Sequence, residues 1–226
     1  MQKIVTENNH AVEPGIFQKA LLSWGEQNFR PFPWRATDKP FYILLSELML
    51  HRTQAKQVVP VYKNFIERFP DIETLSKASK AELQQTLYSL GLRWRIDLIY
   101  QMTKEIVTKF DGIIPQDKEE LLSLSGISEY IAGALRCFSW NLPEPIADTN
   151  TIRIVGRIFG LETKDSSRRN RIFKSLLAEL VPIDRPREYN YALLDLADKI
   201  CTKKPAPDCP NCPLISMCQF GQALQN

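Results

Sequence analysis

Apolar residues recur along the chain in short helical stripes. Ile16, Phe17, Ala20, Leu21 and Trp24 form one, and Val58, Tyr62, Phe65, Ile66 and Phe69 form another. That spacing places side chains on one face of an α-helix. Phe41 to His51 is apolar nearly throughout, which predicts a helix buried on most sides. Asp38 followed by Pro40 marks its start, because proline suits a first helical turn. Ser79-Lys80-Ala81-Glu82 fits a capping box whose helix Gly91 closes, and Asp117 with Glu120 repeats the pattern before Leu121 and Leu122. Ser128 is placed to cap a helix through Trp140, Asp148 one through Phe159, and Ser166 or Ser167 one to about Val181. Tyr189 to Ile200 carries a further apolar stripe. No Asn-Gly or Asp-Gly turn joins two alternating runs, so no strand pair is predicted. The pattern is that of an all-α array of helices joined by short loops.

A chain of 226 residues that is 44% hydrophobic can bury a real core, in one compact unit or two small lobes. No apolar run is long enough to span a bilayer, and Met1 to Asn8 lack the apolar stretch of a signal peptide. An intracellular protein is expected. The net charge of +3 permits nucleic-acid binding without arguing for it. Arg93, Arg95, Arg153, Arg157, Arg168, Arg169 and Arg171 form short clusters suited to phosphate, or simply to a solvated helix face.

Four short motifs carry chemistry. Leu124-Ser125-Gly126-Ile127-Ser128 is a tight turn between helices. It is either an αα-corner or a set of exposed backbone N–H groups that receives phosphate. Asp148 stands at a helix mouth, where capping and electrostatic catalysis are compatible. Glu47 lies inside the apolar helix. There it is either on an exposed edge or a desolvated acid whose raised pKa suits proton donation. Cys201-x7-Cys209-x2-Cys212-x5-Cys218 gathers four of the five cysteines near the C-terminus. In an intracellular chain such a cluster points to zinc or an iron–sulfur cubane rather than disulfides, and spacing alone does not choose. Cys137, in an apolar stretch, reads as a small core residue.

The order of these motifs, from Phe32-Pro33-Trp34-Arg35 to Cys218, resembles the endonuclease III and MutY branch of the helix-hairpin-helix DNA glycosylases. Ser46-Glu47-Leu48-Met49-Leu50-His51-Arg52-Thr53-Gln54-Ala55 is similar to the adenine-glycosylase motif SE-x-ML-QQTQ. Leu124 to Ile131 is similar to the family hairpin LPGVG-x-[KSY]-T, with Ser128 in place of the second glycine. Asp148 falls on the catalytic aspartate of the family. Cys201, Cys209, Cys212 and Cys218 fall on its [4Fe–4S] ligands, with the first gap one residue longer. Tyr130 stands where bifunctional members carry lysine and MutY-type enzymes usually carry serine. With Ala55 and Arg52-Thr53, it resembles the subgroup of thymine glycosylases acting on T:G mismatches; Tyr191 matches neither subgroup.

The resemblance implies an all-α fold of two lobes flanking a DNA-binding cleft. Residues 30–140 would form a helical-barrel lobe with the hairpin at 124–128, and residues 1–29 with 141–226 the cluster lobe. The cleft would hold Glu47, Tyr130 and Asp148 around a base flipped from duplex DNA. Asp148 would stabilise an oxocarbenium-like sugar, Glu47 would protonate or hydrogen-bond the leaving base, and Tyr130 would pack against the sugar. Arg52 would fill the vacated gap, with His51, Gln54, Gly126 and Ser128 as further DNA contacts. The implied activity is monofunctional release of thymine or uracil opposite guanine by a monomeric, nucleoid-associated protein without membrane contact. The rivals are adenine release from A:G or A:8-oxoguanine, release of another modified base, and non-catalytic mismatch binding.

Overall fold

A computed structural model describes residues 3–5, 10–91 and 93–224; the side chains of Arg93, Trp94 and Asp165 also lie outside that description. In chain order the elements are β1 (Ile4–Val5), β2 (Ala11–Val12), α1 (Pro14–Glu26), α2 (Pro40–Leu50), α3 (Ala55–Arg68), α4 (Ile72–Lys77) and α5 (Lys80–Leu87). There follow α6 (Arg93–Phe110), α7 (Lys118–Leu122), α8 (Glu129–Trp140), α9 (Thr149–Phe159), α10 (Arg171–Leu180), α11 (Pro186–Lys199) and α12 (Gln219–Ala223). The described chain is thus mostly helical, as its apolar periodicity dictates. No described helix is long and apolar enough to cross a membrane. The chain divides into two compact units, one of residues 1–30 with 141–226 and one of residues 31–140.

The caps follow from side chains that reach backbone N–H groups a few residues ahead. Ser79 and Glu82 form the capping box of α5, Asp117 accepts from Glu120 N–H at α7, and Asp148 caps α9. Each such cap contributes about 1 kcal/mol. At α10 the expectation fails. The Ser167 hydroxyl instead accepts the Lys164 N–H at 2.9 Å, which tightens Asp165–Arg169 into a 3₁₀ turn. Asn170 then caps α10 through Ile172 N–H. Helix α2 starts from Lys39 rather than Asp38, and its cap position makes no side-chain bond. The two strands pair antiparallel, Ile4 with Val12 and Val5 with Ala11. This pairing was not expected, because two residues are too few to show alternation.

In the first unit, α1 lies on α11, and α9 packs against α10, α11 and α12. Phe17 and Leu21 of α1 share a core with Ile152, Val155 and Phe159 of α9 and Tyr189, Leu193 and Leu196 of α11. Each such side chain contributes about 1.5–3 kcal/mol by leaving water. Gly25 lets α1 and α11 close up, since a Cβ there would sit 2.6 Å from Ala192 Cβ. Arg30 locks the same junction. Its backbone N–H and guanidinium both donate to the fully buried carboxylate of Asp195. Loss of the Arg30 charge beside this fully buried carboxylate costs about 3–5 kcal/mol, whereas Arg30, 24% exposed, keeps Asp198 at 3.1 Å when Asp195 is removed.

In the second unit, α2 packs on α3 and α8, α6 on α4 and α5, and α7 on α8. Every residue of α2 from Ile43 to Met49 is buried, the polar Ser46 and Glu47 included. Ser46 satisfies its hydroxyl by donating to the Ile43 carbonyl at 2.8 Å. Cys137 is wholly buried in α8, as a core residue should be.

Candidate active site

Glu47 sits one turn before the end of α2 and is 6% exposed. An acid in so apolar a helix is costly unless it is partnered or used. Three residues on, α2 stops and the chain turns through His51 and Arg52, both exposed, into Gln54, the exposed residue before α3. Arg52 has φ 62°, a left-handed conformation rare for residues with a side chain. Arg95, buried on α6, donates to the carbonyls of Leu48 and His51 and meets the His51 ring.

The hairpin lies between α7 and α8. Leu124 and Ile127 plug it into the core, and Gly126 takes φ 82°. The Ile127 N–H is spent on the Leu124 carbonyl at 3.2 Å. The Ser128 hydroxyl accepts the Ile131 N–H at 3.3 Å and so caps α8. Ser125 is held by Glu105 of α6, whose carboxylate accepts both its N–H (2.7 Å) and its hydroxyl (2.9 Å). Local sequence carries no sign of this brace, because the partners are 20 residues apart. Among the described residues the Gly126 and Ser128 N–H groups have no protein acceptor. Tyr130 follows, half-buried in the first turn of α8.

A Cβ at Gly126 would meet Leu98 Cβ at 3.1 Å and would also carry the penalty of positive φ. Gly126→Val is therefore expected to cost about 1–3 kcal/mol of stability. It should also weaken duplex binding alike for all sequences, since backbone donors to phosphate read no bases. Salt-dependent binding to a fully paired duplex checks this. Unchanged affinity would show that the hairpin does not anchor phosphate.

Asp148 begins α9 in the other unit. Its Oδ1 accepts from Asn150 N–H and Thr151 N–H, and its Oδ2 from Asn150 Nδ2, all at 2.8 Å. Thr151 Oγ1 accepts the Asp148 N–H in return, at 3.0 Å. The carboxylate is thus held in place by three donors. The network continues: Arg153 Nη1 donates to Asn150 Oδ1 at 3.1 Å, and Arg153 Nε to the Cys201 carbonyl at 2.9 Å.

One turn further along α9, Arg157 Nη1 donates to Cys201 Sγ at 3.3 Å and to the Thr202 carbonyl at 2.8 Å, with its guanidinium 4.5 Å from the Phe220 ring centroid. Gly221 N–H points at Cys218 Sγ at 3.4 Å. Burial pushes the Cys212 thiol up to about 12, and the nearby thiols of Cys201, Cys218 and Cys209 add to the rise. Burial likewise raises Cys209 and Cys218. The four sulfurs therefore share one partly buried neighbourhood, with cationic and N–H donors aimed at two of them. Such a donor set suits a positively charged inorganic group whose thiolate ligands need outside hydrogen bonds. Among the described residues no three His, Cys, Asp or Glu side chains are grouped so that they could hold a metal ion. The long Cys201–Cys209 gap begins from a point pinned by both arginines.

A family model for HhH-GPD superfamily base excision DNA repair proteins matches residues 45–179, from just before Glu47, through the hairpin, past Asp148. The chain belongs to that family. The cysteine loop of this HhH-GPD protein lies beyond the matched segment. Relatives extend the likeness over nearly the whole chain. A thymine/uracil-DNA glycosylase of Pyrobaculum aerophilum is 35% identical over 212 residues, 91% of this chain and 92% of the relative. A thymine-DNA glycosylase of Aeropyrum pernix is 36% identical over 90% of this chain and 93% of its own. An adenine DNA glycosylase of Buchnera aphidicola is 34% identical over 90% of this chain but only 58% of that protein. Among solved structures, a thermostable thymine-DNA glycosylase superposes with TM-score 0.84 at 25% identity, covering 93% of this chain and 97% of that one. An endonuclease III–DNA complex superposes at 0.78 with 20% identity over 95% and 99%, and so shows the shared fold.

Proposed function

We propose that this DNA N-glycosylase removes thymine or uracil mispaired with guanine, by hydrolysis, leaving an abasic strand uncut. The observation that carries the reading is near-full-length similarity to two thymine glycosylases in a chain that bears Tyr130 at the head of α8. Base-excision DNA glycosylase activity follows from the family and its named relatives. The choice of base and the lack of strand cleavage are our assignment.

In this reading the target nucleotide leaves the stack, because its glycosidic bond is out of reach inside a duplex. Gly126 and Ser128 N–H groups take a phosphate, while His51, Arg52 and Gln54 meet the DNA at the site of the displaced nucleotide. As the bond to the base lengthens, positive charge builds on the sugar, and the anchored carboxylate of Asp148 stabilises it. Glu47 donates a hydrogen bond or proton to the departing base. Tyr130 packs against the sugar, and its phenol cannot form the imine that strand cleavage by elimination requires. Cys201, Cys209, Cys212 and Cys218 hold a [4Fe–4S] cluster in this reading, supported by the shared thiol neighbourhood and the family resemblance. When bound, such a cluster supplies cross-linking and fixed charge to the loop and takes no part in breaking the base–sugar bond.

The test uses duplexes carrying T:G, U:G, A:G and A:8-oxoguanine, followed by alkali to cut abasic sites. Release from T:G and U:G is expected. Release confined to the adenine pairs would replace the reading with the adenine one that the Buchnera relative represents, and no release at all would leave a mismatch-binding module. Borohydride added during turnover should trap little covalent adduct. Lys118, a helix away in sequence, has its Nζ 3.8 Å from the Glu129 carboxylate, next to Tyr130. Strong trapping that disappears in Lys118→Ala would overturn the monofunctional assignment and name the amine.

A further inference from the structure

The turn after α2 carries an arginine where its backbone calls for glycine. Thr53 N–H donates to the Leu50 carbonyl at 3.1 Å, His51 has φ −61° and ψ 112°, and Arg52 has φ 62°. These values describe a type II turn, whose third residue is normally glycine or asparagine because a side chain is crowded at positive φ. A conformation of this kind persists only where its surroundings over-determine it.

The surroundings here are Arg95. Its side chain belongs to the buried part of α6 and the residue is 3% exposed. The guanidinium donates to the Leu48 carbonyl at 2.5 Å and to the His51 carbonyl at 2.6 Å, and it meets His51 Nδ1. Helix α2 ends without a glycine cap, so its last carbonyls, at the negative end of the helix dipole, need donors from elsewhere. A planar fork satisfies several of them in one fixed geometry, which the point charge of a lysine does not. Burial disfavours the Arg95 charge, and the positive charge of Arg52 adds to that. The Arg52 residue itself is exposed.

We propose that Arg95 is a positioning residue for base extrusion: it locks the Leu50–Thr53 turn so that Arg52 meets the gap left by a displaced nucleotide in one fixed orientation. The proposal rests on the reading of the chain as a glycosylase that extrudes its base. Arg95 itself touches neither DNA nor the reacting atoms in this role.

The test compares the full-length protein with R95M, R95K, R52A and the R52A/R95M double variant. Single-turnover release is measured from a T:G duplex and from a duplex with thymine opposite an abasic-site analogue, where no base pair has to open. R95M is expected to slow T:G release about 10²-fold, the usual effect of misplacing a group by an ångström. The loss on the unpaired thymine should be about tenfold smaller, since an unpaired base costs least to extrude. R95K, which keeps the charge and loses the fork, should recover only part of the rate. In the R52A background R95M should add nothing beyond about 2-fold, as coupled residues do. Equal slowing on both substrates, or the full further loss in the R52A background, overturns the proposal. If R95M does not fold, R95K carries the same comparison. A 2-aminopurine beside the target reads extrusion by fluorescence without chemistry, and its rise should shrink in the Arg95 variants. If the wild type releases no thymine, the functional reading fails, yet an undiminished fluorescence rise in those variants still overturns this one.

Discussion

Asp148→Asn is expected to slow base release by about 10²–10³-fold, the usual effect of removing one preorganised electrostatic group from a charged transition state. The structure makes this a clean substitution. Asp148 does two jobs: it caps α9 through Oδ1, and it presents a negative charge held by Asn150 and Thr151. Asparagine caps helices about as well as aspartate, so the two backbone N–H groups keep their acceptor and the fold is nearly unchanged. What disappears, in the proposed mechanism, is the charge beside the developing oxocarbenium. One local cost is visible: an amide nitrogen would face Asn150 Nδ2, donor against donor. Alanine would be a poorer probe, because it also removes the cap, at about 1 kcal/mol. Duplex affinity should hold or rise, since one negative charge that would repel DNA has been removed. Single-turnover kinetics, with thermal melting as the control for folding, decides the matter. Near wild-type turnover in a folded Asp148→Asn protein would remove this carboxylate from the mechanism.

The second large effect concerns the cysteine loop. The purified protein is expected to be brown and to contain iron and acid-labile sulfide. Cys212→Ser should lose both and should fold poorly. Binding of a structural inorganic group is also folding energy, roughly 10–16 kcal/mol for zinc in zinc-finger peptides, against a net domain stability of about 5–15 kcal/mol. The damage should concentrate in the first unit, because α9 is tied to the loop through Arg153 and Arg157 and α12 is tied to it through Cys218. Hydrogen exchange should then show α9 and α12 opening while the unit of residues 31–140 keeps its protection. Any fraction that remains folded should still release base, more slowly insofar as Asn150 and Asp148 lose the support of Arg153. Metal analysis returning one zinc and no iron would refute the cluster assignment.

Much of this protein is legible in its sequence because the deciding interactions are local. Ser79, Asp117 and Asp148 cap helices by reaching N–H groups two or three residues ahead, so a short window contains the whole interaction. The nearly continuous apolar run of α2 could settle only by burial on most sides, and it makes Glu47 conspicuous. The cysteines at 201, 209, 212 and 218 stand out by clustering, and the ordered motifs around them led to the family. Other features needed the folded chain. Ser167 competes for a cap but spends its hydroxyl on a 3₁₀ turn, and two equally good capping residues give no sign in sequence of which prevails. Glu105 braces Ser125, Arg95 supports the His51–Arg52 turn, and Lys118 reaches Glu129. Each of these joins residues on separate elements, where periodicity carries no information. Residue type and spacing determined which segments become helices and singled out the acids and thiols proposed to carry the chemistry. Only packing decided how the loops bearing those groups are held, because a turn at positive φ or a buried guanidinium becomes stable only when distant parts of the chain arrive to satisfy it.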